Sequence, residues 1–459
     1  MTSGRLDDTI AAIASAPGIG AIGIVRIAGP RAFDIAAAVF RPAGGGDVHD
    51  LPGGRVVFGR VVDTDGDVGT GTEGAGAFVD EGLLLAFRAP RSYTGQDAVE
   101  LQVHGGPAVL RTVLEACLRR GARAAEPGEY TLRAVASGKL DLAQAEAVLA
   151  LVEARSDAAR RQASVGLSGA LSEAIDAAQR ELTSAYAAVL ASLDYPEEGV
   201  PEAQVEAPVA DARARLERLL ATATAGRYAA RGARMAIVGR PNAGKSSLLN
   251  ALLGYERAIV ADAPGTTRDY LEAPLELGRV SVTAVDTAGL RATADAVEAH
   301  GVARARELAA AADVVLALVD GTRPLDPEDR EVVTALDRDR TIWVASKADR
   351  PRVWTAEDLG VTVRPVSSAT GAGLDALRSE LETRLLGDAA GEEAWVTSER
   401  QAGALREAAE ALARVPGAPA DLQGLDLETA LRALARITGR GDVAEDTLAE
   451  VFARFCVGK

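Results

Sequence analysis

A glycine-rich segment with one lysine and one serine, GRPNAGKS, occupies residues 239–246. It matches the pattern G-x-x-x-x-G-K-[ST], follows the strand-like run MAIVG and precedes the helix-like run SSLLNALLG. In this pattern backbone N–H groups converge on phosphate oxygens, the lysine reaches the β- and γ-phosphates, and the serine hydroxyl binds Mg²⁺. We therefore predict a nucleoside triphosphate site in which Lys245 and Ser246 take these roles. The other predicted contacts in this segment are Asn242, Ala243, Gly244 and Ser247.

Three later motifs favour guanine as the base. They are DTAG at residues 286–289, SKAD at 346–349 and the serine pair at 367–368, and each follows an apolar strand-like run. Asp349 can accept hydrogen bonds from N1 and N2 of guanine, which adenine does not offer. Together with the glycine-rich segment, these motifs resemble those of GTPases. The predicted contacts are Asp286, Thr287, Ala288, Gly289, Ser346, Lys347, Asp349, Ser367 and Ser368.

Two positions depart from the usual GTPase pattern, and both bear on mechanism. Ser346 stands where N-K-x-D motifs have an asparagine that braces the base and the phosphate loop. Leu290 stands where Ras-like GTPases have the glutamine that orients the attacking water, so water must be positioned from elsewhere.

Asn242, with carbonyls of the segment 258–269, can hold a monovalent cation beside the phosphates. The alternative for Asn242 is a capping role within the loop. Thr267 is the expected second Mg²⁺ ligand.

The strands and helices that must position these motifs form a regular series from residue 235 onward. The runs MAIVG, VSVTAVD, DVVLALVD, TIWVAS and VTVRPVS alternate with helical patterns, which is typical of a doubly wound parallel sheet. Residues 1–122 indicate a mixed α+β region, in which VELQV at 99–103 alternates strictly. Amphipathic helical patterns fill residues 129–228 and 398–455.

The simplest architecture is an α/β module inserted between two parts of one helical domain. We predict four segments along the chain. They are an N-terminal domain (1–122), a first helical part (123–231), a G domain (232–386) and a second helical part (387–459).

Composition excludes several classes of function. The chain has 459 residues and a net charge of −16, which excludes a protein that coats nucleic acid by bulk charge. Two cysteines exclude a disulfide framework, and three histidines argue against a His-rich metal centre. We find no apolar run long enough to span a bilayer and no secretion signal, so we expect a cytoplasmic protein without a membrane partner.

Several stretches together resemble one family, the bacterial MnmE (TrmE) family of tRNA modification GTPases. They are PGTTRD beside GRPNAGKSSLLN, DTAGLR before VEAHGVARA, RSYTGQDAVELQVHGG, GKLDLAQAEA, and the C-terminal FCVGK. The resemblance runs essentially from end to end. The G motifs are shared by many GTPases, whereas the combination of SYTG, GKLDLAQAEA and C-x-G-K is far more specific.

The resemblance implies a fold class and a function. The fold is an N-terminal α+β folate-binding domain that forms a homodimer, a discontinuous helical domain, and an inserted Ras-like P-loop GTPase domain. The function is K⁺-dependent GTP hydrolysis coupled to tRNA modification. With the FAD-carrying flavoprotein MnmG, in a heterotetramer or larger complex, the family adds a carboxymethylaminomethyl or aminomethyl group at C5 of the wobble uridine, U34. The implied one-carbon donor is 5-formyl- or methylene-tetrahydrofolate.

The resemblance also assigns roles to individual residues. Glu298 is implied as the catalytic residue that orients the attacking water. The implied K⁺ ligands are Asn242, Ala261, Ala263 and Thr266, of which Ala261 and Thr266 also contact GTP. The implied folate ligands are Arg26, Glu100, Lys139 and Lys459. Taken by itself, the strand pattern places Glu100 on a solvated polar face.

Two features near the C-terminus stay outside these assignments. Cys456 is a possible nucleophile, but we expect it to pack as a small apolar residue beside Val451, Phe452 and Phe455. Arg436 replaces the glutamate expected in a Gly-Glu-Ile-Thr run, so no role of that acid is carried over.

Two other functions compete with the main hypothesis. A ribosome-assembly GTPase of the Era/Der type shares the G motifs but adds a basic RNA-binding domain, which we do not find. A switch or scaffold would move its helical arms in a GTP cycle without needing folate.

Overall fold

The computed structural model describes residues 6–63, 77–154, 156–194, 205–254, 275–277, 280–284, 301–387, 395–440, 448 and 451–458, and for 301–305 the backbone only. The chain divides into two compact units. Unit 1 comprises residues 1–149 with 438–459, and unit 2 comprises residues 150–437.

Unit 1 is built on a seven-stranded, mostly antiparallel sheet with the strand order β3-β4-β5-β6-β2-β1-β7. The strands are β1 (Ile10–Ile13), β2 (Ile22–Ala28), β3 (Phe40–Pro42), β4 (Val56–Asp63), β5 (Ala77–Phe87), β6 (Ala98–His104) and β7 (Arg123–Ala124). The helices in the same part of the chain are α1 (Ala32–Val39), α2 (Pro107–Arg119), α3 (Glu129–Ala136) and α4 (Leu142–Glu153). A short 3-10 turn covers Val48–Asp50.

The alternation of residues along β6 decides which face of this sheet is buried. Val99, Leu101 and Val103 enter the main core of unit 1 together with apolar residues of α1 and α2. The intervening Glu100 and Gln102 lie on the opposite face and are half-buried. The predicted alternation is therefore confirmed, since a period of two sends successive side chains to opposite faces.

Unit 2 contains a six-stranded sheet with the order β13-β12-β11-β8-β10-β9. Its strands are β8 (Ala233–Gly239), β9 (Leu275–Leu277), β10 (Val280–Ala284), β11 (Val314–Asp320), β12 (Thr341–Ser346) and β13 (Val363–Val366). All adjacent pairs are parallel except β9 with β10. Core clusters lie on both faces of this sheet, so β11 and β12 are apolar runs with polar residues only at their ends, and both strands are buried throughout.

The helices of unit 2 fall into two groups. Those within or beside the sheet are α9 (Lys245–Gly254), α10 (Gly301–Ala310), α11 (Pro327–Ala335), α12 (Ala356–Leu359) and α13 (Leu374–Leu386). The long amphipathic ones are α5 (Asp157–Leu167), α6 (Ala170–Asp194), α7 (Glu206–Ala221), α8 (Ala223–Arg231), α14 (Glu399–Arg414) and α15 (Ala420–Thr438). In the described part of the chain, every helix is too short or too polar to cross a membrane.

The predicted elements agree well with these bounds. The helical patterns at 129–228 and 398–455 contain α3 to α7, α14 and α15, and α8 extends three residues beyond the first of them. Every predicted strand of the α/β module is present. The pattern did not reveal β1, β3, β4, β7 or β9. Residues 438–459 belong to unit 1 with the N-terminal region, and the four-segment division made from the sequence stays a prediction.

Candidate functional site

The phosphate loop follows β8 directly and depends on its glycines. Gly239 has a φ of +144°, and a Cβ there would lie 2.4 Å from the carbonyl oxygen of Leu318 on β11. Lys245, the first residue of α9, donates from Nζ to the carbonyl oxygens of Gly239 and Arg240 at 2.7 and 2.8 Å. Burial lowers the pKa of Lys245. The ammonium is thus held inside the loop, at the N-terminus of a helix, where phosphates bind.

Asn242 lies at the tip of this loop in the left-handed region, with a φ of +64°. Its side chain is exposed and makes no hydrogen bond with any residue that the structure describes. In the described part of the chain, therefore, no residue forms the hydrogen bond that a capping role of the Asn242 amide would require. The amide oxygen is open to a ligand, as a cation site needs.

The base motif lies beside the phosphate loop because four parallel strands end at one edge. Register pairs Leu318 with Gly239, Asp320 with Ser346, and Ser346 with Val366. The carboxyl ends of β8, β11, β12 and β13 therefore meet, which is where ligands bind in open α/β sheets.

Asp349 and Ser367, from two predicted motifs, are in contact at this edge. Ser367 donates from Oγ to Asp349 Oδ1 at 2.6 Å, and this hydrogen bond lowers the pKa of Asp349. The carboxylate is thereby oriented and ionised, as guanine binding requires. Ser367 is fully buried, whereas Ser368 is half-buried beside it.

Ser346 does not perform the bracing role of an asparagine in this structure. Its hydroxyl faces the carbonyl oxygen of Val319 at 3.4 Å, within the sheet. Ser346 nevertheless lies beside the phosphate loop, since a Cβ on Gly244 would be in van der Waals range of the Ser346 Cβ, at 4.0 Å.

Several predicted nucleotide, metal and catalytic residues lie outside the described residues. They are Ala261, Ala263, Thr266, Thr267, Asp286, Thr287, Ala288, Gly289, Leu290, Glu298 and Lys459. Their assigned roles stay predictions. Ser246 and Ser247 are described at the start of α9, where both are exposed. Ala243 is buried in the loop.

In unit 1, two predicted folate ligands form one ion pair. Arg26 on β2 and Glu100 on β6 are directly opposite in the antiparallel register. Arg26 donates to Glu100 Oε1 from Nε at 2.9 Å, and its Nη2 lies 2.8 Å from the same oxygen. The Glu100 side chain is 15% exposed, so the expectation of a solvated residue is wrong. A cross-strand cation supplies the reason.

Two tyrosines and the C-terminal tail surround this pair. The Arg26 guanidinium lies 5.8 Å from the ring centre of Tyr93 and 5.5 Å from that of Tyr130. Tyr130 donates its hydroxyl to the Arg26 carbonyl oxygen at 2.8 Å. Arg26 Nη1 donates to the carbonyl oxygen of Gly458 at 3.2 Å. The residue before Lys459 therefore lies at the predicted folate site.

Lys139 lies in the connection between α3 and α4 rather than on the ion pair. Its Nζ donates to the carbonyl oxygen of Pro90 at 3.0 Å. A Cβ on Gly95 would lie 3.6 Å from Lys139 Cγ, so Lys139 borders the loop that carries Tyr93. The structure thus brings Arg26 and Glu100 into contact and places Lys139 beside the loop that carries Tyr93.

Two expectations about the C-terminal region need comment. The Cys456 side chain is exposed, so the expectation that it packs in the core is wrong; Val451, Phe452 and Phe455 are buried without it. Arg436, where an acid was expected, forms an ion pair with Glu407 of α14. Among the described residues, no cluster of His, Cys, Asp and Glu is suited to a metal ion.

Sequence reasoning missed three residues that contact the predicted sites: Asp320, Tyr93 and Tyr130. Asp320 ends the strand-like run DVVLALVD, and an acid at the carboxyl end of a parallel strand is a usable signal. Tyr93 belongs to the SYTG run, but its spacing gives no indication that it lies near Arg26.

Comparison with known proteins identifies the family. Residues 142–456 match the family model described as the MnmE helical domain, and residues 9–139 match the GTP-binding protein TrmE N-terminus. The tRNA modification GTPase MnmE of Thermus thermophilus is 51% identical over 455 residues, which cover 99% of this chain and 100% of that protein. The chain belongs to the MnmE family of tRNA modification GTPases.

More distant relatives agree with this assignment. The MnmE proteins of Chloroflexus aurantiacus and Moorella thermoacetica are 43% and 42% identical, and each match covers 99% of this chain and 100% of the relative. The family match confirms the predicted fold class of an N-terminal α+β domain, a helical domain and a P-loop GTPase domain, and it confirms that the chain is a GTP hydrolase. The solved G domain of the T. maritima FeoB iron transporter is 25% identical over 33% of this chain and 98% of its own length, with a TM-score of 0.24.

Proposed function

We propose that this chain is a K⁺-dependent GTPase that modifies C5 of the wobble uridine U34 in tRNA. It acts in the cytoplasm with the flavoprotein MnmG, which carries FAD, in a heterotetramer or larger complex. It installs an aminomethyl or carboxymethylaminomethyl group with a tetrahydrofolate derivative as one-carbon donor. The observation that carries this proposal is the Arg26–Glu100 pair, since GTP hydrolysis alone does not require such a site.

The nucleotide half of the proposal rests on the edge of the unit 2 sheet. Lys245 and the loop N–H groups would bind the phosphates, Asp349 would accept from guanine N1 and N2, and Ser246 with Thr267 would hold Mg²⁺. The exposed, left-handed Asn242 supports a K⁺ ion beside the phosphates, with Ala261, Ala263 and Thr266 as further ligands. A cation there would supply the positive charge that an arginine finger supplies in other GTPases, and Leu290 has no hydrogen-bonding group. Glu298 would orient the attacking water.

The folate half rests on the chemistry of Arg26 and Glu100. Glu100 Oε1 accepts from Arg26, whereas Oε2 has no hydrogen-bond partner among the residues that the structure describes. A carboxylate oxygen of this kind suits the N–H edge of a pterin, and the Tyr93 ring, 38% exposed, offers a flat apolar face. When bound, the folate would supply a one-carbon unit. Lys139 and Lys459 would bind its carboxylates.

The homodimer is supported by an exposed apolar patch on unit 1. We define the patch by four residues on the sheet face that carries Glu100: Ile22, Val56, Phe58 and Leu83, which are 64%, 51%, 52% and 37% exposed in that order. Phe58 and Leu83 are directly opposite in the register of β4 and β5, and Val56 faces Leu85 in the same pair of strands. Four large apolar side chains on one sheet face favour burial against a second copy.

The test measures wobble nucleosides by mass spectrometry in a deletion strain that carries either the parent chain or Glu100→Gln. The parent is expected to restore the modified U34 nucleosides, whereas Glu100→Gln leaves U34 unmodified although it hydrolyses GTP normally. Glu115→Gln, on the exposed surface of α2, is the matched control and is expected to restore modification. Full modification by Glu100→Gln would contradict the folate assignment.

The same strains decide between this function and its rivals. Normal wobble nucleosides in the deletion strain, together with a ribosomal subunit copurifying with the chain, would identify a ribosome-assembly GTPase. Titration of a reduced folate into the purified full-length chain tests the second rival, a switch or scaffold that needs no folate. We expect saturable binding by the parent chain, whereas a scaffold would bind no folate.

A further inference from the structure

Asp320 is a buried carboxylate at the edge of the sheet where the base motif lies. It ends β11 and stands opposite Ser346 of β12 in the parallel register. Its side chain is 9% exposed. The Oδ2 atom accepts from Lys347 Nζ at 2.6 Å, and Oδ1 accepts from the N–H and hydroxyl of Thr322 at 2.9 and 2.7 Å. Burial alone would raise the pKa of Asp320, but the bonds from Lys347 and Thr322 outweigh burial and lower it.

The partner of Asp320 has an unfavourable backbone conformation. Lys347 has a φ of +59°, in the left-handed region that residues with a side chain rarely adopt. This conformation starts the turn that carries Asp349, in which the N–H of Arg350 donates to the Lys347 carbonyl oxygen at 3.0 Å. A contact that holds Lys347 in this conformation therefore also determines where the Asp349 carboxylate points.

Backbone hydrogen bonds connect the end of β11, where Asp320 lies, to the chain before and after the 346–349 motif. The N–H of Gly321 donates to the Ser346 carbonyl oxygen at 3.1 Å, and that of Val353 donates to the Gly321 carbonyl oxygen at 3.0 Å. Trp354 donates from Nε1 to the Asp320 carbonyl oxygen at 2.9 Å. The end of β11 is thus bonded to residues before and after the Asp349 turn.

We propose that Asp320 is a positioning residue of the guanine site, whose carboxylate holds Lys347 and the 346–349 turn in place of the asparagine amide that Ser346 lacks. The inference rests on the proposed role of Asp349 in binding guanine. Asp320 itself touches no nucleotide in this proposal. Its effect is on affinity for guanine nucleotides, not on hydrolysis once GTP is bound.

The test measures the affinity of the full-length chain for a fluorescent GDP analogue and its GTPase kinetics in K⁺ and Mg²⁺. Asp320→Asn keeps the shape and the bonds from Thr322 but removes the charge that holds Lys347. We expect affinity to fall by about 10-fold or more, in the range of a lost charged hydrogen bond, and kcat at saturating GTP to stay within about 2-fold. A parent-like affinity, or an equal loss in kcat with unchanged KM, would overturn the proposal.

Two comparisons separate positioning from general stability. Glu129→Gln removes a similarly buried carboxylate in unit 1, which pairs with Arg133 at 2.8 Å. It is expected to lower Tm while keeping the parent affinity. Asp320→Glu keeps the charge and is expected to recover most of the lost affinity. It also replaces Asp320→Asn in the test if that variant does not fold. If Asp320→Glu binds as weakly as Asp320→Asn, or if Glu129→Gln loses the same affinity, Asp320 has no positioning role.

Restoring the usual asparagine is the most specific readout. We expect Ser346→Asn to recover most of the affinity in the Asp320→Asn background and to change the parent much less. Equal gains in both backgrounds would show that the two residues act independently, against the proposal.

A parallel measurement on Asp349→Asn with xanthine nucleotides tests the base contact itself. If that variant fails to accept xanthine, the proposed guanine site is wrong, which is a different outcome from a failure at Asp320.

Discussion

At the scale of single residues, Asp349 is the group on which base selection depends in the proposed site. Its Oδ1 is engaged by Ser367, and the carboxylate is 27% exposed at the edge of the sheet. Such a carboxylate accepts from the N1 and N2 hydrogens of guanine and repels the O2 carbonyl that xanthine has instead.

We expect Asp349→Asn to weaken GTP binding by about 100-fold, the cost of two hydrogen bonds to a charged group, and to favour xanthosine triphosphate. The measurement is competition of GTP, XTP and ATP against one fluorescent nucleotide. Asp375→Asn, an exposed acid at the start of α13, is the control and should keep the preference for GTP. Unchanged discrimination by Asp349→Asn would remove Asp349 from the base pocket.

Asn242 is the second residue whose proposed role can be tested by itself. The cation that it is proposed to bind can be exchanged in the buffer without any mutation. We expect GTP hydrolysis to be about 10-fold or more faster in K⁺ than in Na⁺ at equal ionic strength, since only an ion of suitable size fits a fixed set of oxygens. Asn242→Ala should abolish this difference and retain GDP binding. Equal rates of the parent chain in the two salts would exclude the cation proposal.

At the scale of elements, the ends of β5 and β6 are joined by a pH-sensitive pair. His104 lies 2.8 Å from Asp80 through Nδ1, and its backbone N–H donates to Asp80 Oδ2 at 2.9 Å. The hydrogen bond from the His104 ring to the Asp80 carboxylate raises the pKa of His104 above its ordinary value. A raised pKa in the folded state gives stability that is fully present below the unfolded pKa and lost as pH rises through the folded one.

His104→Gln should therefore lower Tm most at acidic pH and have no effect at alkaline pH. The difference from the parent is expected to be largest near about pH 6 and absent by about pH 9. Thermal unfolding of both chains across this range measures it. A difference that grows with rising pH would show that the His104 side chain acts through packing instead of charge.

A buried ion-pair cluster fixes α3 to the N-terminal strand region. Arg133 is 1% exposed and lies 2.8 Å from Glu129 Oε1, and it also donates to Asp8. Arg123 bonds the same two acids. Removing one partner leaves buried charge poorly compensated, which costs about 3–5 kcal/mol.

Glu129→Gln should loosen α3 and its neighbours without affecting unit 2. Hydrogen exchange of the full chain, followed by mass spectrometry, is expected to be about 100-fold or more faster in α3, β1 and β7, as a loss of this size implies. Glu115→Gln breaks only an exposed pair with Arg119 and should change exchange by less than about 2-fold. Parent-like protection of α3 in Glu129→Gln would contradict this role.

At the scale of the whole molecule, the apolar patch of unit 1 determines whether the chain self-associates. Phe58→Glu places a charge within the patch, and an unpaired charge in an interface is strongly unfavourable. We expect the dissociation constant of the homodimer to rise by about 100-fold or more. Sedimentation velocity measures this. Leu422→Glu, at a residue of α15 that is 48% exposed, should leave the dimer intact. A monomeric parent chain would refute the proposed homodimer.

The sequence by itself predicted the nucleotide site and the strands that carry it. The GKS, SKAD and serine-pair motifs each follow a strand with a strong local pattern, so their common position at one edge follows from parallel pairing. Local patterns of this kind depend on residues close together in the chain, and they also predicted β6, β8, β11 and β12 correctly. The resemblance added Arg26 and Glu100 as candidates.

Only the tertiary structure decided which distant groups meet. Arg26 and Glu100 are 74 positions apart, Arg26 and Gly458 are 432 apart, and Asp320 and Lys347 are 27 apart. The register of paired strands and the return of the C-terminal tail bring these groups together, and neither leaves a periodic signal in the sequence. For this reason Glu100 was expected to be solvated and Cys456 buried, whereas the packing of unit 1 reverses both.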